Sequence, residues 1–256
     1  MNDEPERDIY TATRYMKAGY TGRLYEIAGG VQGLTRESKK VNWSGPDIYN
    51  YDIRSCVLAA LSIFCDKLGI NHKTIDNYVN NPDSKYEYAT SIGVSVDCWK
   101  QSLISLIFGA KINRSGAPTV AIRNDVGRDN FDRVYNKFLE ISEPIRFVIS
   151  EWLSKVQHYS ISMANSKGII YNPVLCPLGL ESLEFKKPGK LSAFFLQGLE
   201  CKFIYNLILA SKESTFQVLS YEFDGLITKG KIPQEVIEQA RIDSGFNNVT
   251  LEIKDF

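Results

Sequence analysis

A chain of 256 residues can close one large domain or two small ones around a shared core, and an apolar fraction of 44% with 12% aromatics excludes an intrinsically disordered protein. Lys plus Arg number 30 and Asp plus Glu number 30, so the net charge of zero rules out a uniformly cationic nucleic-acid binder, though not a local basic cleft. Five scattered cysteines without a CxxC pair and only two histidines argue against a disulfide framework and a Cys/His zinc site, and favour reduced thiols and carboxylate chemistry.

The polar opening, residues 1–8, lacks the apolar core of a signal peptide, and no stretch reads as long enough to cross a bilayer. The expectation is a soluble intracellular protein, cytoplasmic or inside a virus-infected host cell, with no membrane partner. Residues 1–17, acidic and helix-prone, belong to an N-terminal arm over 1–20 that either docks a partner or frays. A first basic cluster, Arg36, Lys39 and Lys40, precedes a strand over Ile48–Ile53 and an apolar helical run over 57–68. A helix carries Lys100 toward Phe108 and Gly109, followed by a second basic cluster at Lys111, Arg114 and Arg123. Ile145, Val148, Ile149, Trp152, Leu153 and Val156 share one helix face, as do Leu196, Leu199, Phe203, Ile204, Leu207 and Ile208. Between these helices, 169–175 and 180–185 flank a Cys176-Pro177-Leu178-Gly179 turn and predict a hairpin. Lys186, Lys187 and Lys190 form the third basic cluster. A second hairpin is predicted where 216–223 and 226–228 flank Asp224-Gly225, a tight-turn dipeptide. A helix opens near Pro233, bears acids over 234–243 and stops around Gly245, and 249–253 alternates as a final strand. Helices in the first two thirds and antiparallel strands at the end make an α+β fold.

Asp52 ends the early strand and Asp224 lies at a hairpin tip. Carboxylates at strand ends are hard oxygen ligands suited to magnesium, and two of them from separate strands can hold ions about 3.5–4 Å apart. Each residue also has an ordinary reading, Asp224-Gly225 as a turn and Asp52 as a helix N-cap.

An ordered succession of segments bears on that choice. Thr21-Gly22-Arg23-Leu24, Val31-Gln32-Gly33-Leu34-Thr35-Arg36, Tyr51-Asp52-Ile53, Lys100 through Phe108-Gly109, Leu196-Gln197-Gly198-Leu199-Glu200 and Tyr221-Glu222-Phe223-Asp224-Gly225 follow one another along about 200 positions. Together they resemble the palm and fingers of family A, DNA polymerase I-like polymerases. Glu151-Trp152-Leu153, 169–173 and Pro177-Leu178-Gly179-Leu180 are similar to the helix and PLG-type hairpin of single-subunit phage and mitochondrial RNA polymerases. The resemblance covers palm and fingers only.

It implies a polymerase-type palm, an antiparallel sheet packed on helices, with a small helical fingers region and no thumb. Palm would occupy 21–70 and 146–256, and fingers 71–145. Catalytic roles would fall to Asp52, Asp224 and Lys100, with two Mg²⁺ ions (Mn²⁺ substituting) on Asp52, Ile53 and Asp224. Arg23, Gln32, Arg36, Val57, Phe108, Gly109 and Gln197 would contact substrate. Lys100 suits a triphosphate as a compact cation, and Phe108, about 80° past two helical turns, would share its face. The implied function is template-directed nucleotidyl transfer by a compact DNA or RNA polymerase, primer synthesis included. Its partners would be template, primer, nucleoside triphosphates and a subunit supplying a thumb or clamp. A palm-derived scaffold that binds nucleic acid or a replication partner after losing chemistry is the alternative. An unrelated metal-dependent hydrolase ranks last, because it leaves 21–24 and 100–109 without explanation.

Three departures from the family pattern carry consequences. Val96 stands where an Arg is usual, leaving Lys111 or Arg114 to replace a phosphate contact. Phe223 stands for the His before the second aspartate. Val57 stands for a Glu that crowds the ribose 2′-hydroxyl, and Phe108 lacks the hydroxyl of the usual Tyr, so sugar discrimination is expected to be relaxed toward ribonucleotides.

Overall fold

The computed structural model describes residues 15–17, 19–26, 31–43 and 45–256. Strands β1 (Tyr15–Lys17) and β2 (Leu24–Glu26) form a short antiparallel ladder, so the end of the segment expected to be helical is a strand instead. The rest of that segment, residues 1–14, lies outside the described residues. Helix α1 (Arg36–Trp43) leads into β3 (Ile48–Ile53), whose bounds match the sequence reading. Along β3, Tyr51 and Ile53 are buried while Asp52 stays partly exposed, the period-two alternation of a half-covered strand.

Helix α2 (Cys56–Lys67) follows after a turn at Ser55, a non-glycine residue held at φ 49°. Helices α3 (Lys73–Asn80), α4 (Ser84–Ile92), α5 (Val96–Ile107), α6 (Ala117–Ile141) and α7 (Glu143–Ser162) come next. The indole of Trp99 on α5 donates to the Tyr78 hydroxyl on α3 at 3.0 Å and stacks on Tyr88 of α4, tying these helices together.

Strands β4 (Ile169–Tyr171) and β5 (Pro177–Gly179) make the first expected hairpin with a different partition. Pro177-Leu178-Gly179 is its second strand, not its turn. Asn172 builds the turn, its side-chain oxygen accepting from the Val174 and Cys176 amides at 3.2 and 2.9 Å.

Helix α8 (Pro188–Ala210) is the central helix. With the turn after it, the segment Pro188–Glu213 is long and apolar enough to cross a bilayer, contrary to the sequence expectation. Its apolar side chains are instead spent on the core: Leu191, Phe194, Phe195, Phe203, Ile204 and Leu207 are all at most 1% exposed. It packs on α2, α7 and α9 (Gln234–Ser244), where Phe64, Trp152, Tyr159 and Phe195 form an aromatic cluster. Pro233 caps the start of α9 and Gly245, at φ 74°, its end, both as read from sequence.

Strands β6 (Gln217–Tyr221), β7 (Gly225–Lys229) and β8 (Leu251–Lys254) complete one antiparallel sheet in the order β6–β7–β3–β8. The hairpin between β6 and β7 is shifted by one residue from the sequence expectation. The Glu222 amide donates to the Gly225 carbonyl at 2.9 Å, which makes Phe223 and Asp224 the two central turn residues. Phe223 takes φ 64°, a position glycine usually fills in a tight hairpin. Gly225 already belongs to β7 because its backbone passes Tyr51 closely: a Cβ there would sit 2.3 Å from the Tyr51 carbonyl oxygen.

Candidate active site

Strand register brings the two aspartates together. Asp52 on β3 lies opposite Gly225 on one side and Glu252 on the other, and the Ile53 amide donates to the Asp224 carbonyl at 2.9 Å. Both aspartates line one cavity of about 130 Å³, with Ile53, Val57 and Tyr78 in its wall and Lys100 of α5 and Lys85 of α4 reaching it from the helical side. An adjoining open cleft of about 860 Å³ shares Asp52, Lys85, Lys100, Glu252 and Lys254 with that cavity.

Protein groups answer most of the charge here. The Lys254 ammonium donates to the Asp52 carboxylate, Arg54 pairs with Glu252 at 3.2 Å, and Lys39 pairs with Glu222 at the edge of the cleft. Burial pushes the Asp224 carboxyl above its ordinary range, while Arg23 and Lys100 pull it back. The turn that carries Asp224 is gripped from below: the Phe223 ring meets Tyr25 edge-on at 5.3 Å and the Arg23 guanidinium lies 5.2 Å over it.

Arg23 itself is committed to Glu200, a carboxylate buried inside α8, through two hydrogen bonds of 2.8 and 2.6 Å. Burial drives Glu200 up to about 7, Arg23 works against that rise, and Asp224 adds to it. For Arg23, burial opposes the charge and the Glu200 carboxylate more than offsets it, so the guanidinium stays charged beside a carboxyl poised near neutrality.

The run Thr21–Leu24 is thereby a fastener. The Asn172 amide donates to the Thr21 carbonyl at 2.8 Å, the Tyr205 hydroxyl donates to the Gly22 carbonyl, and Gly22, at φ 95°, packs where a Cβ would strike Val174. Gly198 is small for a related reason, since a Cβ would lie 2.8 Å from Asn172 and Pro173.

The remaining residues singled out from sequence divide among several places. Gln32 is engaged with backbone, its amide donating to the Leu24 and Tyr221 carbonyls at 3.1 and 2.9 Å and its oxygen accepting from the Glu26 amide. Arg36 opens α1, and its side chain lies outside the described residues. Helix α5 ends at Ile107 with Phe108 as its C-cap, and Phe108 does not line the cavity or cleft that Lys100 reaches. Phe108 lines a different recess with Gln197, Tyr20, Tyr25 and Lys190. Gly109, at φ 84°, closes α5 against α8, where Gly189 lets the two backbones meet. Lys111 and Arg114 line neither the carboxylate cavity nor its cleft. Four residues that sequence reasoning gave no role are central: Lys85, Glu200, Glu252 and Lys254. Only Glu200 left a trace, as a carboxylate in an otherwise apolar helix.

The donor set fits a hard divalent cation of the magnesium type. Asp52 and Asp224 offer carboxylate oxygens on a partly polar wall, and Ile53 can add only a backbone carbonyl because its side chain is a hydrocarbon. Among the described residues no group of three or more His, Cys, Asp or Glu side chains converges tightly enough to cage a metal. A cation held here would therefore complete its shell with water and phosphate oxygens, as magnesium commonly does.

An antiparallel sheet with two carboxylates at its mouth, faced by helices that bring Lys85 and Lys100 to the same cavity, defines a polymerase-like palm. No protein-family model and no curated protein matches the sequence. Solved structures do match: the polymerase domain of Pol1 from M. smegmatis, in complex with DNA primer-template and dNTP, aligns with a TM-score of 0.55 at 13% identity. The alignment covers 95% of this chain and 47% of that one. The chain thus has the fold of a DNA polymerase I-type, family A polymerase domain and spans about half its length.

Proposed function

We propose that this chain is a template-directed nucleotidyltransferase, a compact DNA or RNA polymerase that can serve as a primer-synthesising enzyme. The observation that carries the reading is the convergence of Asp52, Asp224 and Lys100, 172 residues apart at the extremes, on one cavity. Palm is assigned to 21–70 and 146–256 and fingers to 71–145, with α4 and α5 facing the sheet across the cleft. Asp52 and Asp224, with the Ile53 carbonyl, would hold two magnesium ions, or manganese in their place; bound there, such ions activate an attacking oxygen and stabilise the leaving one.

The chain's own residues prepare the rest. Lys100 meets phosphate as a compact charge in a partly dehydrated cavity, where its attraction exceeds that in open water. At about 130 Å³ the cavity lies below the usual range of ligand pockets, roughly 300–1,000 Å³, so it takes ions, phosphates and the 2′ edge of the sugar while the base occupies the larger cleft. Val57 and Tyr78 form the apolar wall beside Asp52 and leave room for a 2′-hydroxyl. Lys254, 41% exposed, withdraws from Asp52 when that carboxylate turns to a cation. Template, primer and nucleoside triphosphates are the partners, and a further subunit would strengthen grip on the duplex.

A second reading, a palm-derived scaffold that binds nucleic acid without chemistry, draws support from the Lys254–Asp52 and Arg54–Glu252 pairs, because protein cations already answer these carboxylates. Primer extension separates the two. Purified protein is incubated with primed and unprimed templates and labelled NTPs or dNTPs, in Mg²⁺ and in Mn²⁺. Incorporation that Asp52→Asn abolishes is expected. Tight binding to primed template without incorporation in any arm would establish the scaffold.

A further inference from the structure

We propose that Lys85 is a second phosphate-binding residue of this site, acting with Lys100 on the polyphosphate tail of a nucleoside triphosphate. The inference rests on the nucleotidyltransferase reading and extends it to a residue on a different helix.

Two cations of the helical side, Lys85 and Lys100, line both the carboxylate cavity and the adjoining cleft. The other cations around these spaces, Lys39, Arg54 and Lys254, each have a carboxylate partner. Among the described residues, neither Lys85 nor Lys100 makes a direct ion pair, although Lys100 is close enough to Asp224 to act on its charge. Glu87, on the same helix as Lys85, accepts instead from the Asn81 amide at 3.1 Å. The contact that Lys85 does make is with the ring of Tyr86, 5.0 Å from its ammonium.

Its position is also locally unfavourable. Lys85 is in the first turn of α4, where the helix dipole disfavours a cation; Asp83 at the N-cap and Glu87 answer the dipole itself, and neither forms an ion pair with Lys85. A cation kept at the positive end of a helix and turned toward a cavity is explained by an anion entering that cavity. A magnesium-complexed triphosphate remains anionic, and a monophosphate is too short to need both lysines. The same cation supplies the charge missing at Val96, which lines the cleft without any.

Titration calorimetry with the full chain tests this, using a nucleoside triphosphate and its monophosphate, each with magnesium. Lys85→Gln should weaken triphosphate binding by about tenfold, leave monophosphate binding unchanged, and be rescued by Lys85→Arg. Matched melting temperatures would show that the variants fold alike. Triphosphate binding by Lys85→Gln at the wild-type level, or an equal loss of both ligands, would overturn the assignment of Lys85 alone. Absence of triphosphate binding by the wild-type chain would overturn the nucleotidyltransferase reading and Lys85 with it.

Discussion

At the scale of single residues, the buried pair between Arg23 and Glu200 decides more than its sequence context suggests. A carboxyl held near pH 7 in the folded state keeps a proton that the unfolded chain releases in the ordinary glutamate range. The stability this contributes is complete below that range and is lost as pH rises through about 7. Arg23 restrains the rise, so removing it steepens the loss. Arg23→Met is expected to destabilise the fold by about 3 kcal/mol at neutral pH and by less at pH 5, where protonation discharges Glu200. Thermal melts at the two values check the sign, and a cost independent of pH would refute it. Val57 belongs to the same scale. Val57→Glu places a carboxylate beside Asp52 and is expected to shift sugar choice toward dNTPs by at least about tenfold, read from NTP and dNTP competing for one extension site. An unchanged ratio would remove Val57 from sugar selection.

At the scale of elements, the sheet and one helix junction hold the site, and glycine marks both. Gly225 lets β7 approach β3 until the backbones touch, and that approach sets Asp224 beside Asp52. Gly225→Ala would push a methyl group against the Tyr51 carbonyl, which cannot swing aside. A destabilisation of about 1–3 kcal/mol is expected, together with a loss of divalent-ion affinity larger than that of a variant equally destabilised elsewhere. Gly189 plays the corresponding part between α5 and α8, where a Cβ would lie 2.0 Å from the Phe108 carbonyl oxygen. Gly189→Ala should lower the melting temperature as well, with little effect on divalent-ion affinity.

These elements also show what was legible beforehand. Strand β3, the caps of α9 and the apolar faces of α7 and α8 follow local rules of period, proline and glycine, and all were readable. The hairpin was found but misregistered, because Phe223 occupies a positive-φ position that sequence rules give to glycine. Phe108, the C-cap of α5, lines a recess apart from that of Lys100, and an offset of about 80° after two turns did not reveal which side the ring would take. Lys85, Glu252 and Lys254 were invisible because strand pairing and helix docking bring them to the site, and neither is encoded in short-range spacing. The partnership of Arg23 with Glu200, 177 residues apart, was hidden for the same reason.

At the scale of the whole molecule, a chain without net charge arranges a local division of charge: Asp52, Asp224 and Glu252 on the sheet side with Lys254 among them, and Lys85 and Lys100 on the helices opposite with Asp97 nearby. Such a division suits a ligand that carries its own cations and leaves an anionic tail, and it gives no uniform field for long duplexes. Binding of primed template is therefore expected to be weak and to depend only shallowly on salt, and products to be short. Everything turns on Asp52 and Asp224 forming one divalent-ion site. Titration with Mn²⁺ in the presence of a non-hydrolysable nucleoside triphosphate, followed by electron paramagnetic resonance of the free ion, measures this directly. Asp52→Asn and Asp224→Asn should each abolish the bound population seen in the wild-type chain. Retention of wild-type Mn²⁺ binding by either variant would contradict the shared site.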